Sequence, residues 1–367
     1  MKVVSGFCHA AVAVSLALSL AACGGGGKSS PSQGFIPSSQ LRAAYGVNRI
    51  APHFVAPLLP PAGTIYLGAY VNPGGRETVS QQIVSTAAFE TSISRTLAID
   101  MHYHQWSDPI IGLAEQDDAT HGRIPLVSWH CADANLKTGV TDADVAAGKY
   151  DAAIARRAIA VRKFGHPIFL RYKWEFNLLY NKYCENPPHD YIDKWGKPHY
   201  STADFIAAWI HIRQIFTANG ATNVVWLWSP SGNGVAPSTY YPGDSQVDWI
   251  GLDWYDSFNL YFTDIYNMSH NENTHRDVST YPYLSTTWPN KPLMISETGA
   301  VQNWQVSYFT GNASHLAADP SLQQNFPNVK AYVYWNSTGS RGNFQIGPAL
   351  QTFKTFADLP YESGFQQ

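Results

Sequence analysis

Two glutamates stand where a charged residue needs a reason. Trp174-Glu175-Phe176-Asn177 follows the apolar run at 167–170, and Ser296-Glu297-Thr298-Gly299 follows the run at 291–295. A carboxylate at the end of a buried strand is costly unless it is solvated or paired. Two of them, on strand ends that converge in space, match what cleavage of a glycosidic bond requires. One carboxyl is protonated and donates to the leaving oxygen, and the other is ionised and attacks the anomeric carbon. Apolar neighbours raise a carboxyl pKa and a nearby cation lowers it. Glu175, between Trp174 and Phe176, therefore suits the acid/base role. Glu297 needs a cation or hydrogen-bond donors, and Arg171 and the Tyr255 hydroxyl are the candidates.

Such a pair works only if the backbone brings it together. From residue 64 onward, strand-like apolar runs alternate with helix-like segments; the runs are 64–70, 96–104, 124–129, 167–174, 223–229, 247–254, 292–296 and 330–335. Near-continuous apolar strands separated by helices imply a parallel sheet covered on both faces. Eight such units predict a closed (β/α)8 TIM barrel, a single catalytic domain spanning 46–360. Ser201 with Asp204 reads as a capping box, and Phe205, Trp209, Ile212 and Phe216 form the apolar stripe of the helix it opens. The stretches 229–246 and 256–290 are rich in Gly, Pro, Ser, Asn and Tyr and read as long cleft-shaping loops rather than helices.

In a barrel the C-terminal strand ends face the site. Side chains alternate along a strand, so Asp253 and Tyr255 share a face. The same count puts Leu293, Ile295 and Glu297 on one face, and Arg171 with Glu175 on another. Lys173 would crowd that second face unless a bulge turns it aside.

Composition narrows the setting. Of 367 residues, 14% are charged and 14% aromatic, with 12 Trp and 21 Tyr. Low charge with many aromatic rings fits a surface that stacks on sugars, and it fits a large core equally. With a net charge of -3 and no basic block, nucleic acid is not an expected partner. Residues 1–22 read as a signal peptide, and Leu20-Ala21-Ala22-Cys23 resembles the lipobox of bacterial lipoproteins. That resemblance implies a lipid on Cys23 and anchoring in the bacterial cell envelope, at the outer membrane or surface if the source is Gram-negative; the glycine- and serine-rich stretch makes 23–45 a flexible tether, and a monomer is expected. Once Cys8 leaves with the signal and Cys23 takes the lipid, Cys131 and Cys184 remain in an oxidising compartment. A disulfide between them is expected; two buried free thiols are the alternative.

Over residues 63–356 the chain resembles glycoside hydrolase family 26, within the clan of retaining (β/α)8 glycosidases that carry glutamates on strands four and seven. The resemblance rests on Gly122-Arg123-Ile124-Pro125 leading to Trp129-His130, on Arg171 through Asn177, and on Trp226-Leu227-Trp228-Ser229-Pro230. Tyr241-Pro242-Gly243-Asp244 through Asp253, and 292–299, complete it. It implies Glu175 as acid/base and Glu297 as nucleophile of a retaining endo-β-glycoside hydrolase. It also implies substrate contacts from His130, Arg171 and Tyr255, a sugar floor at Trp335 and an aromatic platform at Tyr180. Trp174, Asp253 and Asn177 join the candidate binding set, Asn177 reading equally as a support for Glu175. One position departs from the family pattern. Mannanases of the family usually carry histidine before the acid/base, and here Trp174 stands there. The polymer is expected to be β-1,4-mannan, with mixed-linkage β-glucan, β-1,3-xylan or a bacterial exopolysaccharide as alternatives.

Two rival readings compete. His102-Tyr103-His104 is a His-x-His of the kind that binds zinc, but strands five, six and eight end without histidine, so no metal is expected. No phosphate-binding glycine loop appears, so no cofactor is expected either. The second rival is a lipoprotein that binds glycan without cutting it.

Overall fold

Each of the eight apolar runs becomes a parallel strand. In the computed structural model these are β1 (Ile65–Asn72), β2 (Ile99–His104), β3 (Ile124–Trp129), β4 (Ile168–Tyr172), β5 (Val224–Trp228), β6 (Trp249–Asp256), β7 (Leu293–Ala300) and β8 (Val329–Gly339). The residues described are 58–132, 140–178, 191–192, 198–199, 201–232, 234, 236–256, 280–311, 326–358 and 361–362. The signal segment, the tether with Cys23, Tyr180 and Cys184 lie outside them. Neighbouring strands pair in sequence order, and β8 returns to β1 in parallel register from Tyr66↔Ala331 to Asn72↔Ser337. The sheet is thus a closed (β/α)8 barrel in a single domain, as the alternating runs predict.

The helices are α1 (Val79–Ile93), α2 (Leu113–Thr120), α3 (Asp142–Ala146), α4 (Asp151–Phe164), α5 (Thr202–Ala218), α6 (Tyr281–Thr287), α7 (Gln305–Thr310) and α8 (Leu350–Ala357). On α5, Phe205, Trp209, Ile212 and Phe216 are buried, and Ser201 Oγ accepts from the Asp204 N–H at 3.1 Å. Gly165 ends α4 at φ 75°, a left-handed cap that suits glycine. α6 is a helix inside the stretch expected to be loop. Pro282 sits in its first turn, and Tyr281 and Leu284 bury one side, so packing overrides a Tyr/Ser/Thr-rich sequence of low helix propensity. Among the described residues no helix is long and apolar enough to cross a membrane.

Strand alternation divides the core into two layers. Ile65, Leu67, Ala69 and Val71 of β1 face the helices with Leu170, Trp226 and Ile250. Tyr66, Met101, Leu126, Phe169, Leu227, Trp249, Met294 and Val333 fill the lumen. Strand β7 breaks step against β6. Along β6, Leu252 pairs Ile295 and the next residue, Asp253, pairs Glu297, so β7 carries an extra residue at this point. This β-bulge corrects the expected face. Leu293 and Ile295 face the helices, whereas Glu297 points into the lumen beside Ser296 and Met294.

The lumen is tight around that bulge. A Cβ on Gly251 would lie 2.5 Å from both Ser229 Oγ and Ser296 Oγ. Gly251→Ala is therefore expected to lower unfolding stability by about 1–3 kcal/mol through overpacking. Urea denaturation reads this as a lower midpoint at unchanged slope; an unmoved midpoint would show that the lumen can yield.

Candidate active site

Arg171 is the centre of the polar upper lumen. It ends β4 on the same side as Phe169 and is fully buried. Its Nε donates to Ser128 Oγ at 2.7 Å, on the paired position of β3. Nη1 donates to both oxygens of Asp253, at 3.2 and 3.0 Å, and Nη2 donates to Glu297 Oε1. Asp253 Oδ1 accepts further bonds from Ser229 Oγ (3.0 Å) and Ser296 Oγ (2.6 Å). Burial pushes the Asp253 pKa well up, against the pull of Arg171.

Glu297 is met by donors on both oxygens. Tyr103 OH donates to Oε1 at 2.6 Å, beside the Arg171 contact, and Tyr255 OH donates to Oε2 at 2.7 Å. Burial raises both tyrosine pKa values well above the phenol range, and the Glu297 charge adds to it, so both remain hydroxyl donors. A guanidinium and two phenols aimed at one carboxyl group suit an anion. The expected partners, Arg171 and Tyr255, are both in place. Tyr103 is a partner that sequence reasoning missed, although alternation along β2 carries the signal: Met101 and Tyr103 face the lumen, and His102 and His104 face out.

Glu175 lies just beyond β4 and is half-buried. Its backbone N–H donates to Ser229 O at 2.8 Å, which ties the turn to the end of β5. Burial raises its pKa to about 7, and the nearby Glu297 charge adds to the rise. Ser231, bonded to its side chain, and the Arg171 and Arg341 charges work in the opposite direction. The site therefore holds two carboxyl groups in unlike surroundings, one desolvated and one gripped by donors.

The other candidates divide between wall and frame. Trp174 is half-buried, 5.3 Å from the Arg171 guanidinium and 5.0 Å from the rings of Tyr103 and His130. His130 Nδ1 accepts from the Ala132 N–H at 2.8 Å, and burial, with the Lys173 charge, lowers its pKa to about 4, so it is neutral near pH 7. Trp335 stacks on Tyr70 at 5.8 Å and meets Tyr255 edge-on at 5.8 Å. Asn177 is buried, with its amide exchanging two bonds with the Ser231 backbone at 2.9 and 2.8 Å; it sits in the frame under Glu175. Cys131 is disulfide-bonded.

The His-x-His pair lies on the opposite face of β2. His104 Nε2 is 2.8 Å from Glu115 and His102 Nε2 is 2.7 Å from Asp118, both on α2. Asp100, His102 and Asp118 place ligand-type atoms within 4.8 Å of one another. Arg123 Nε donates to Asp118 there at 2.9 Å, so a guanidinium already supplies the positive charge. Burial opposes a charge on His102, but Asp100 and Asp118 outweigh it and lift the pKa to about 10. These histidines bind strand to helix; they do not line the cleft.

Comparison with known proteins agrees with this barrel. Residues 179–325 match the model of glycosyl hydrolase family 26, a span that includes Glu297 and begins just after Glu175. Endoglucanase H of Acetivibrio thermocellus is 27% identical over 221 residues, which is 59% of this chain and 22% of that protein. A mannan endo-1,4-beta-mannosidase of Bacillus subtilis is 27% identical over 137 residues, 37% of this chain and 29% of that protein. The chain thus spans between a fifth and a third of the length of the curated relatives it matches. A GH26 β-mannanase structure from Bacteroides ovatus superposes with a TM-score of 0.58 at 17% identity, covering 83% of this chain and 91% of that one. The chain is family 26-like in sequence, and its fold is that of the family's barrels.

Arg171 carries the one positive charge in contact with both Asp253 and Glu297 among the described residues. Arg171→Met leaves two buried carboxyl groups with hydroxyl donors but no countercharge and is expected to cost about 3–5 kcal/mol of stability at neutral pH. Denaturant titration checks it, and a loss below about 1 kcal/mol would mean that water or another group reaches these oxygens.

Proposed function

We propose that the chain is a retaining endo-β-glycoside hydrolase acting on a polysaccharide, with Glu297 as nucleophile and Glu175 as acid/base. The observation that carries this reading is the contrast between the two carboxyl groups. Glu297 is held by Arg171, Tyr103 and Tyr255, and Glu175 is raised to about 7 beside it. In the first step a Glu297 oxygen bonds to the anomeric carbon as the glycosidic C–O bond breaks. The Glu175 proton passes to the leaving oxygen. In the second step water attacks the same carbon and gives its proton to Glu175. The ester bond to Glu297 breaks, and the anomeric configuration is restored. Tyr103 and Tyr255 hold the nucleophile's oxygens, and Arg171 balances its charge before attack and again when the ester breaks. The rings of Trp174 and Trp335, the latter backed by Tyr70, are the flat faces offered to sugar rings.

β-1,4-Mannan is the substrate read first, supported by relatives named as mannan endo-1,4-beta-mannosidases. A second reading has its own observation. Trp174 replaces the histidine usual in the family's mannanases, and one relative is named an endoglucanase, so β-glucan or a bacterial exopolysaccharide is the alternative. The lipobox-like Cys23 supports attachment to the cell envelope, where such a polymer would be met. Metabolic labelling with an alkyne fatty acid is expected to mark the chain, and Cys23→Ala to abolish the label.

Reducing-end release is measured on β-mannan, galactomannan, mixed-linkage glucan, β-1,3-xylan and a bacterial exopolysaccharide. One polymer is expected to be cut, and Glu297→Ala to abolish cutting. Binding without cutting would instead support a glycan-binding lipoprotein. The acid step needs the protonated form, so kcat/KM is expected to fall as pH rises through about 7. Glu175→Gln removes that limb and lowers the rate by about 10²–10⁴-fold. A retaining mechanism calls for carboxyl groups about 5–5.5 Å apart in the substrate complex, and roughly 6.5–9.5 Å would point to inversion.

A further inference from the structure

The two residues that flank Trp174 both take left-handed backbone: Lys173 at φ 53° and Glu175 at φ 55°. This is uncommon for residues with a Cβ, and it persists where the surroundings over-determine it. Strand alternation alone would send Lys173 into the lumen beside Arg171. The positive φ turns it out toward α3, where its buried ammonium pairs with Asp142. Asp142 also takes the Tyr172 hydroxyl, at 2.7 Å on its other oxygen. The Lys173 N–H donates to Trp129 O at 2.9 Å, and the Glu175 N–H to Ser229 O at 2.8 Å. The turn is pinned to β3 before Trp174 and to the end of β5 after it, with the ion pair as its side-chain anchor.

Stability alone does not ask for this arrangement. Apolar residues often replace a buried ion pair at no loss of stability, and glycine would take the same φ without strain. A lysine forced left-handed onto a buried carboxylate makes sense if the direction of the turn matters. We propose that Lys173 and Asp142 are positioning residues: their buried ion pair fixes the left-handed turn that aims the Glu175 carboxyl across the cleft toward Glu297. The proposal rests on the reading of Glu175 as acid/base. It assigns a role to two residues that do not touch the reacting atoms.

The test uses the full-length chain in three variants. Lys173→Met/Asp142→Asn removes both charges at near-native volume, Lys173→Arg keeps the pair, and Glu175→Gln reports on the acid itself. Each is assayed on the polymer the wild type cuts and on an aryl β-glycoside of the same sugar, whose good leaving group departs without a proton. The double variant is expected to melt near the wild type and to lose about 10²-fold in kcat on polymer. Its KM on polymer should stay within about twofold, and its kcat/KM on the aryl glycoside, which reports the first step alone, should change much less, because that step needs no proton for the leaving group. Lys173→Arg should recover most of the polymer rate. A folded double variant with wild-type kcat overturns the proposal, as does an equal loss of kcat/KM on both substrates, and in both cases a defective Glu175→Gln leaves the acid/base reading intact. Glu175→Gln without leaving-group dependence would sink that reading itself, and the proposal with it. If the double variant fails to fold, Asp142→Glu, which keeps the charge but lengthens the tether, takes its place and carries the same comparison against Lys173→Arg.

Discussion

A single buried cation organises the upper half of this barrel. Arg171 has no exposed surface, and its guanidinium reaches strands β3, β6 and β7 through Ser128, Asp253 and Glu297. Charges taken out of water persist only when geometry and further bonds make up the loss. Here each carboxylate recruits its own hydroxyls: Ser229 and Ser296 for Asp253, Tyr103 and Tyr255 for Glu297. The same network therefore closes the top of the core and opens the floor of the cleft. Below it the lumen is apolar, with Trp249 against Phe169, so the field of these charges is directed toward the open end.

The aromatic residues follow from that demand. Trp174 and Tyr103 lie over the guanidinium at 5.3 and 5.9 Å, covering a cation that water would otherwise reach. Composition shows the abundance of rings but not their division of labour. Many rings, such as Trp129, Trp209 and Trp228, are wholly buried, and only a few at the strand ends border the cleft. The two meanings of an aromatic-rich sequence, core and sugar-facing wall, are both present.

Much of this was legible in the sequence because parallel strands buried on both faces read as continuous apolar runs. The run at 124–129 coincides with β3, and the others overlap their strands with ends that differ by a few residues. Arg171 and Tyr255 were readable as partners of Glu297 because they stand at strand ends. What resisted was local phase. The extra residue in β7 is invisible to period-two counting; crowding beside Arg171 predicts that Lys173 is turned aside, but not that a left-handed turn does it. Tyr103 was hidden for the opposite reason. The strand rule applied, but the two histidines beside it drew attention to the outward face. α6 was lost because its helicity comes from the burial of Tyr281 and Leu284 rather than from propensity.

The bulge in β7 makes the direction of Glu297 a property of chain counting. Without the added residue, the position that pairs Asp253 would be Ser296, and the glutamate would fall on the outer surface against the helices. In this barrel, the place of Glu297 at the end of the seventh strand does not by itself fix the way its side chain points. The irregularity one step before it is what turns an ordinary strand residue into one that can meet a ligand. Transplanting the four-residue string into a regular strand would carry the letters and leave the orientation behind.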